Sequence, residues 1–418
     1  MVTAPVWYPR HSQELAEDIL AHAPVLVIQG ARQVGKSSLG ARLIQGRGRA
    51  VTLDEPEQRL AADADVTAFV SQAPDRTLLI DEVQLRPEVL LAVKASVDRD
   101  RRPGRFILTG SANLLRLRGE TDSLAGRALD LPLQPLSQGE LRRRKDDLVT
   151  WLTTATVQDV LDVTTDETRQ SYIQLLATGG YPELQSMPAR LRRRWLTSYV
   201  DRVFEKDAPS VAGAVARGRL STIARLVAAN QAGELIKARS GRQAEVSPST
   251  VTSYLDALED VYLLGRLRAW TPNLTTREVA RPKVYITDSA LALGLGGVRP
   301  QELEPLTSVA IGGYIEGFVA AELRKQQTWS ETEFSLFHYR DRSGAEVDIV
   351  VELPDRRVIG IEVKSSSTPK GEHFRGLRAL QERLGERFVA GVVLCMVSHG
   401  YQYATGLYAL PVAALWEC

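Results

Sequence analysis

The sequence predicts an α/β protein in four parts. These are a parallel-sheet domain with helices on both faces, a helical segment, a three-helix unit with a two-stranded ribbon, and a second α/β domain. Three observations lead there. Continuous apolar runs at Val25-Leu26-Val27-Ile28, Thr77-Leu78-Leu79-Ile80 and Arg105-Phe106-Ile107-Leu108-Thr109 alternate with helical patterns such as residues 87–98. Strands covered on both faces read this way, and their alternation with helices marks a parallel sheet. After Pro135-Leu136 the pattern turns mainly helical, and strand-like runs return beyond residue 330. The length, 418 residues, suits two to four domains at ~100–200 residues each.

Taken in order, residues 1–136 make the first domain and 137–217 the helical segment. The segment carries the basic stretches Arg142-Arg143-Arg144-Lys145 and residues 190–194, and Gly179-Gly180-Tyr181-Pro182-Glu183 interrupts it. Residues 218–300 form the third part, with helices expected at 220–230 and 232–238. Ser247-Pro248 opens another helix, since Ser suits an N-cap and Pro the first helical position. Val251, Tyr254, Leu255, Leu258 and Val261 give that helix an apolar stripe. Strands at 264–269 and 283–287 complete the outline of a winged helix-turn-helix. Residues 301–418 read as a helix at 312–325, strands at 334–339, 346–352, 358–364 and 388–397, and a helix at 370–384. No repeat of 20–50 residues is visible.

Lys plus Arg total 52 against 51 Asp plus Glu, for a net charge of +1. This excludes a uniformly basic nucleic-acid coat and an acidic disordered chain, but not local patches. Nine of the cations are Lys and the rest Arg. Two cysteines, Cys395 and Cys418, cannot build a disulfide framework or a thiolate zinc site. Residues 1–20 lack a signal-type apolar core, and no run approaches the ~20 apolar residues of a membrane span. The expectation is a soluble, cytoplasmic protein with no membrane partner.

Gly30-Ala31-Arg32-Gln33-Val34-Gly35-Lys36-Ser37 matches G-x-x-x-x-G-K-[ST], directly after an apolar strand and at the start of a helix. The two glycines let backbone N–H groups curl toward phosphate oxygens, and the helix N-terminus adds positive potential. Lys36 is expected on the β and γ phosphates and Ser37 on Mg²⁺. The binding set comprises residues 30–37 with Ser38 and Ser111. Asp81, at a strand end, is expected in the Mg²⁺ shell, and Glu82 polarises the attacking water. Thr109-Gly110-Ser111 ends the next strand, where a hydroxyl can sense the γ-phosphate.

This order of P-loop, Asp-Glu strand and polar strand resembles AAA+ ATPases. It is more closely similar to a bacterial and archaeal family of fused AAA+-like ATPases with a nuclease-like C-terminal half. The resemblance rests on the P-loop, Ile80-Asp81-Glu82-Val83-Gln84, Leu108-Thr109-Gly110-Ser111, Leu124-Ala125-Gly126-Arg127 and Gly179-Gly180-Tyr181-Pro182-Glu183, and covers nearly the whole chain. It implies ATP and Mg²⁺ as cofactors and a homo-oligomer. It also implies an arginine-finger role for Arg127, worth ~10³–10⁵ in rate; the competing reading is a structural pair with a carboxylate such as Asp130. The helical segment shows no second sensor Arg.

The third winged-helix helix offers Ser249, Thr252, Ser253, Asp256 and Glu259 but no cation, which makes it a poor groove reader. Arg266, Arg268, Arg277, Arg281 and Lys283, with Trp270, make the ribbon the better DNA surface; a packing or protein-interaction role is the alternative. Further on, strand alternation puts Glu362 and Lys364 on one face and Glu346 and Asp348 on one face. Paired as a hairpin, Asp348, Glu362 and Lys364 converge. Two carboxylates on Mg²⁺ or Mn²⁺ and a Lys orienting water suit phosphodiester hydrolysis. The pattern resembles PD-(D/E)XK nucleases, and Glu316 matches their helical acidic residue. His373 and His399 could lie near this cluster, but isolated histidines are more often surface or core residues than ligands.

Together these readings describe a Mg²⁺-dependent ATPase coupled to DNA binding, remodelling or processing. Catalysis is expected from Lys36, Glu82 and Arg127, and in the C-terminal domain from Asp348, Glu362 and Lys364. Metal is expected on Ser37 and Asp81, and on Asp348 and Glu362. The alternative is a nucleotide-controlled switch whose C-terminal half binds a protein partner and cuts nothing.

Overall fold

The computed structural model describes residues 7–111, 124–208, 217–272, 281–341 and 344–418. Among them, strands β1 (Val25–Gln29), β2 (Gly48–Thr52), β3 (Thr77–Asp81), β4 (Phe106–Gly110) and β5 (Ala128–Pro132) form a sheet in the order β2-β3-β4-β1-β5. Every pairing in it is parallel. The three apolar runs of the sequence are the central β1, β3 and β4. Their side chains alternate between two cores. Val25, Val27, Leu78, Ile80, Phe106 and Leu108 face the helix Glu88–Arg99. Leu26, Ile28, Leu79 and Ile107 join Ala16 and Ile19 of the helix Gln13–His22. The period of two along each strand produces this division. The edge strands β2 and β5 had no apolar run to announce them, because Arg49, Ala50, Leu129 and Asp130 are exposed. The strand order reverses at β1, and ligands of open α/β sheets bind outside the carboxyl ends at such a point.

A second sheet holds β6 (Gly233–Glu234), β7 (Leu264–Ala269), β8 (Lys283–Ile286), β9 (Ser335–Arg340), β10 (Glu346–Glu352), β11 (Val358–Val363), β12 (Phe388–Cys395), β13 (Tyr401–Ala404) and β14 (Leu407–Pro411). Its order is β13-β14-β12-β11-β10-β9-β7-β8-β6. The ribbon β7–β8 is antiparallel, and β7 also pairs parallel to β9 through Arg268↔Phe337 and Ala269↔His338. The ribbon therefore belongs to the same sheet as the C-terminal strands. Trp270 is fixed at this seam. Its N–H donates to the His338 carbonyl at 2.6 Å and its indole Nε1 to Glu352 at 3.2 Å. Expected on the ribbon surface, Trp270 is instead buried against Tyr339.

Three helices precede the ribbon: Arg217–Ala229, Lys237–Ala244 and Pro248–Asp260. The second begins later than residue 232, since Gly233–Glu234 is taken up in pairing with β8. Ser247 caps the third, accepting from the Thr250 N–H at 3.1 Å.

The Gly179-Gly180-Tyr181 break has a packing cause. A Cβ at Gly180 would stand 2.4 Å from the Leu136 carbonyl, and one at Gly179 2.6 Å from the Asp288 carboxylate. The Gly180 N–H donates to Asp288 at 2.7 Å, and Asp288 also caps the helix Ser289–Gly296. One hydrophobic core runs through all four parts of the chain, from Ala16 to Trp416. Among the described residues no helix is long and apolar enough to cross a membrane.

The helix Arg375–Leu384 lies against β10 at Gly376, where a Cβ would come within 1.8 Å of the Glu346 carbonyl. Gly376→Ala should cost about 1–3 kcal/mol in urea unfolding, as overpacked sites do. Gly312→Ala, in a helix with open space around it, should be neutral or stabilise by about 0.5–1 kcal/mol. Equal effects of the two would disprove the close contact.

Candidate functional site

The loop after β1 is shaped by its glycines. A Cβ at Gly30 would stand 2.0 Å from the Leu133 carbonyl, and Gly35 has φ +100°. The helix Lys36–Leu43 starts there. Lys36 is buried and its Nζ donates to the Gly30 and Ala31 carbonyls at 3.0 and 2.9 Å. Burial pushes its pKa down to about 8, against the pull of Glu82 and Asp81. Ser37 Oγ donates to Asp81 Oδ1 at 2.7 Å. The pair joins the helix start to the carboxyl end of β3, so a hydroxyl and a carboxylate oxygen stand together where the sequence places Mg²⁺. Asp81 also accepts from Thr52 at 3.4 Å and from Thr109.

Glu82 sits in the left-handed region at φ 59°. Burial raises its pKa. The Gln84 amide bonds Glu82 and, at 3.0 Å, the Ser111 hydroxyl. Both expected polar-strand hydroxyls thus have partners: Thr109 on Asp81, Ser111 on Gln84. Gln33, Ser37 and Ser38 are exposed, while Ala31 and Val34 are buried.

Contacts from the helical segment, the three-helix unit and the residues before β1 hold the loop and its strand, and the sequence pattern does not announce them. Arg32 forks onto Asp207 at 3.1 and 3.0 Å. The Tyr199 hydroxyl donates to the Arg32 carbonyl at 3.2 Å and accepts from Tyr181 at 2.9 Å. Arg10 is buried. It donates to the Val34 carbonyl at 2.8 Å, the Gln134 carbonyl at 2.7 Å and Glu140 at 2.9 Å. Gln29, at the end of β1, donates to Asp130 at 2.8 Å and accepts from the Tyr262 hydroxyl at 2.7 Å. The only prior signal was the Gly-Gly-Tyr motif, whose tyrosine packs tilted against the stacked Trp195–Tyr199 pair.

Arg127 forks onto Asp98 at 2.6 and 3.0 Å. The expected partner Asp130 bonds Gln29 instead. Arg127 precedes β5, and β5 runs parallel to β1 from Ala128↔Val25. It therefore stands at the amino end of the sheet, about 17 Å along five residues of strand from its own phosphate loop.

In the second sheet, β10 and β11 pair antiparallel through Ile349↔Ile361. This hairpin brings Asp348, Glu362 and Lys364 together. Lys364 Nζ is 2.5 Å from Glu362 and 3.7 Å from Asp348. The Val363 N–H donates to Asp348 Oδ2 at 3.0 Å. Glu316 joins from the helix Ala310–Gln326, which Gly313 and Gly317 let press onto Gln231. Lys283 belongs to this cluster rather than to the ribbon surface, because β8 is an interior strand of the sheet. Its Nζ lies 2.8 Å from Glu316, 3.0 Å from Glu346 and 3.0 Å from Asp348. Burial works against its charge, but Asp348, Glu316 and Glu346 outweigh burial and raise its pKa. Burial, reinforced by Asp348, holds Glu316 and Glu362 above the usual carboxylate range. His373 Nδ1 accepts from the Lys370 N–H and His399 Nδ1 faces Ser398.

Of the other ribbon cations, Arg266 is bound to Asp256 at 2.6 Å and Glu259 at 3.3 Å. Arg268 and Arg281 are exposed, and Arg277 lies outside the described residues. In the basic stretches, Arg142 pairs with Glu167 and covers Trp416, and Lys145 pairs with Glu331. Arg190, Arg193 and Arg194 are exposed on the helix Ala189–Arg202, which also carries Tyr199.

Comparison with known proteins divides the chain into three matched stretches. Residues 22–142 match a family model described as an AAA domain. Residues 169–302 and 311–415 match two domains of unknown function, DUF8612 and DUF4143. The uncharacterized protein Rv2008c of Mycobacterium tuberculosis is 28% identical over 354 residues, 84% of this chain and 72% of that protein. Mb2031c of Mycobacterium bovis matches to the same extent. Among solved structures, the Walker-type ATPase PABY2304 of Pyrococcus abyssi aligns at TM-score 0.41 and 17% identity, over 68% of this chain and 94% of that one. A single-substitution variant of RuvB from Thermotoga maritima aligns at TM-score 0.28 and 17% identity, over 62% and 87%. The phosphate loop lies within the stretch that matches the AAA-domain model.

Arg10→Met leaves the Glu140 carboxylate buried without its cation. It should cost about 3–5 kcal/mol in chemical denaturation, and adding Glu140→Gln should return part of that loss. No recovery in the double variant would count against the pair as the source of the effect.

Proposed function

We propose that the protein is a Mg²⁺-dependent ATPase of AAA+-like type whose nucleotide state is passed to its C-terminal half, with DNA as its partner. The observation that carries this reading is the Ser37–Asp81 contact of 2.7 Å beside a buried Lys36 and a half-buried Glu82. Ser37 and Asp81 would hold Mg²⁺, which supplies neutralisation of the charge developing on the phosphates. Lys36 would exchange its two loop carbonyls for phosphate oxygens. Glu82, with its pKa raised by burial, takes the proton of the attacking water, a role suited to a carboxylate shifted toward neutrality. Gln84 holds Glu82 in place against Ser111. Arg32 stands in the phosphate loop and on Asp207 at once, so a phosphate that competes for its guanidinium loosens the grip of the helical segment. Arg127, remote from its own loop, would serve the loop of a neighbouring copy in a homo-oligomer.

The exposed Arg190, Arg193 and Arg194 support DNA as partner, on the helix that holds the phosphate loop through Tyr199. The second reading is a switch whose C-terminal half binds a protein. It is favoured by the ribbon, where Arg266 and Lys283 are already engaged by carboxylates of the chain itself.

Lys36→Ala should lose ATP binding and turnover together. Glu82→Gln should keep ATP affinity and slow turnover by ~10²–10⁴-fold; normal turnover would remove Glu82 from its role. Single-stranded, duplex or branched DNA should raise the ATPase rate with a steep salt dependence. Arg193→Ala with Arg194→Ala should flatten that dependence. Indifference to every DNA, with nucleotide-dependent association intact, would establish the second reading.

A further inference from the structure

The carboxylate cluster of the second sheet already contains a cation. The Lys283 side chain is 4% exposed and its ammonium touches three carboxylates, Glu316 at 2.8 Å and Glu346 and Asp348 at 3.0 Å. A lysine ammonium has three N–H donors and no acceptor. Lys283 hydrogen-bonds Glu316 of the helix Ala310–Gln326 and Asp348 of β10, and forms an ion pair with Glu346 of β10. Asp348 is used on both oxygens: Oδ1 accepts from Lys283, and Oδ2 accepts from the Val363 N–H with Lys364 beside it. Glu362 is taken up by Lys364 at 2.5 Å.

A divalent metal at Asp348 and Glu362 does not fit this arrangement. Mg²⁺ demands oxygens at about 2.0–2.1 Å in near-octahedral order. Any position meeting Asp348 Oδ1 at that range lies within a few ångströms of the Lys283 ammonium, in a buried setting where like charges repel strongly. Among the described residues no group of three or more His, Cys, Asp or Glu side chains is arranged to hold a metal ion. Lys283 also has little freedom to leave. It pairs with Leu267 on β7 and Glu234 on β6. At the far end of the same strand the Gln231 amide brackets Ile286, donating to its carbonyl at 3.1 Å and accepting from its N–H at 3.0 Å.

We propose that Lys283 is the resident cation of this cluster, occupying the place a divalent metal would take. It closes the site to metal-dependent phosphodiester cleavage and ties β8, and with it the three-helix unit, to the C-terminal strands. This inference stands apart from the ATPase reading, and a normal or abolished ATPase leaves it unaffected.

The test is Mn²⁺ binding by the full chain without nucleotide, measured by titration calorimetry and by the shift in melting temperature. All arms carry Asp81→Asn to remove the phosphate-loop metal position. With Lys283 present, no Mn²⁺ should bind at this cluster. Lys283→Met should melt earlier, gain Mn²⁺ affinity at least tenfold, and recover its melting temperature on Mn²⁺ addition. Asp348→Asn in the Lys283→Met chain should abolish the gain. Stoichiometric Mn²⁺ binding with Lys283 in place, lost on Asp348→Asn, overturns the proposal, as does a folded Lys283→Met that gains no affinity. If Lys283→Met does not fold, the Lys283 chain with and without Asp348→Asn decides alone: no binding supports the proposal, and Asp348-dependent binding overturns it.

Discussion

The phosphate loop depends on one buried guanidinium that belongs to no strand or helix of its sheet. Arg10 reaches the Val34 carbonyl inside the loop, the Gln134 carbonyl after β5, and Glu140 in the helix Gln138–Arg142. A buried ion pair gains little by charge alone, because both partners lose water. Here the fork geometry of Arg and the other duties of Glu140 compensate. Glu140 also accepts from the Ser137 and His11 N–H groups, completing a capping box. The loop is thereby tied through Arg10 to Glu140, 130 positions further along the chain from Arg10.

The polar chain continues past Glu140. The N–H of Gln138, in the same helical turn, donates to Glu322 at 2.8 Å, and Lys325 bridges Glu322 and the Leu136 carbonyl. Glu322 and Lys325 lie on the helix Ala310–Gln326, whose other half presents Glu316 to Lys283. Six helical residues span about 9 Å. The buried polar groups behind the phosphate loop and the carboxylate cluster are thus carried by one helix, Ala310–Gln326. A second link runs from Gln29 through Tyr262, a residue at φ 62° just after the helix Pro248–Asp260. The packing around these links is the shared core, which joins Leu26, Ile28, Leu79 and Ile107 of the first sheet to the rest of the chain.

What could be read beforehand follows from what sequence patterns encode. Local chemistry was legible: β1, β3 and β4 as unbroken apolar runs, the phosphate loop by its spacing, the Ser247 cap, and the meeting of Asp348 with Glu362, which needs only a period of two and one hairpin. Edge strands were not, since β2 and β13 are largely exposed and carry no buried alternation. Partners distant in sequence were not either. Lys283 and Trp270 sit in strand patterns that look half-exposed in isolation. Only the parallel pairing of β7 with β9 turns that ribbon inward. Arg127 found Asp98 rather than Asp130 because Asp130, two positions into β5, reaches toward Gln29. The Gly179-Gly180 pair was recognisable as a break, but its reason, close approach of Leu136 and Asp288, exists only in three dimensions.

The charge composition gains meaning at this level. The chain holds nine lysines among 52 basic residues, so a lysine is the unusual choice. Four of the nine sit in polar nests: Lys36 on two loop carbonyls, Lys283 on three carboxylates, Lys325 on Glu322 and the Leu136 carbonyl, and Lys364 on Glu362. At Lys283 and Lys325 the partners approach one point from more than one element. A compact ammonium with three rotatable donors fills such a point, whereas a planar guanidinium needs partners in its own plane. Several arginines instead fork in plane onto single carboxylates, as Arg32 does on Asp207, Arg86 on Asp63 and Arg127 on Asp98. Acceptors that surround a single point suit the rotatable ammonium, and the three carboxylates around Lys283 are arranged that way. By that criterion the cluster around Lys283 is built for a point charge, and the chain itself provides it.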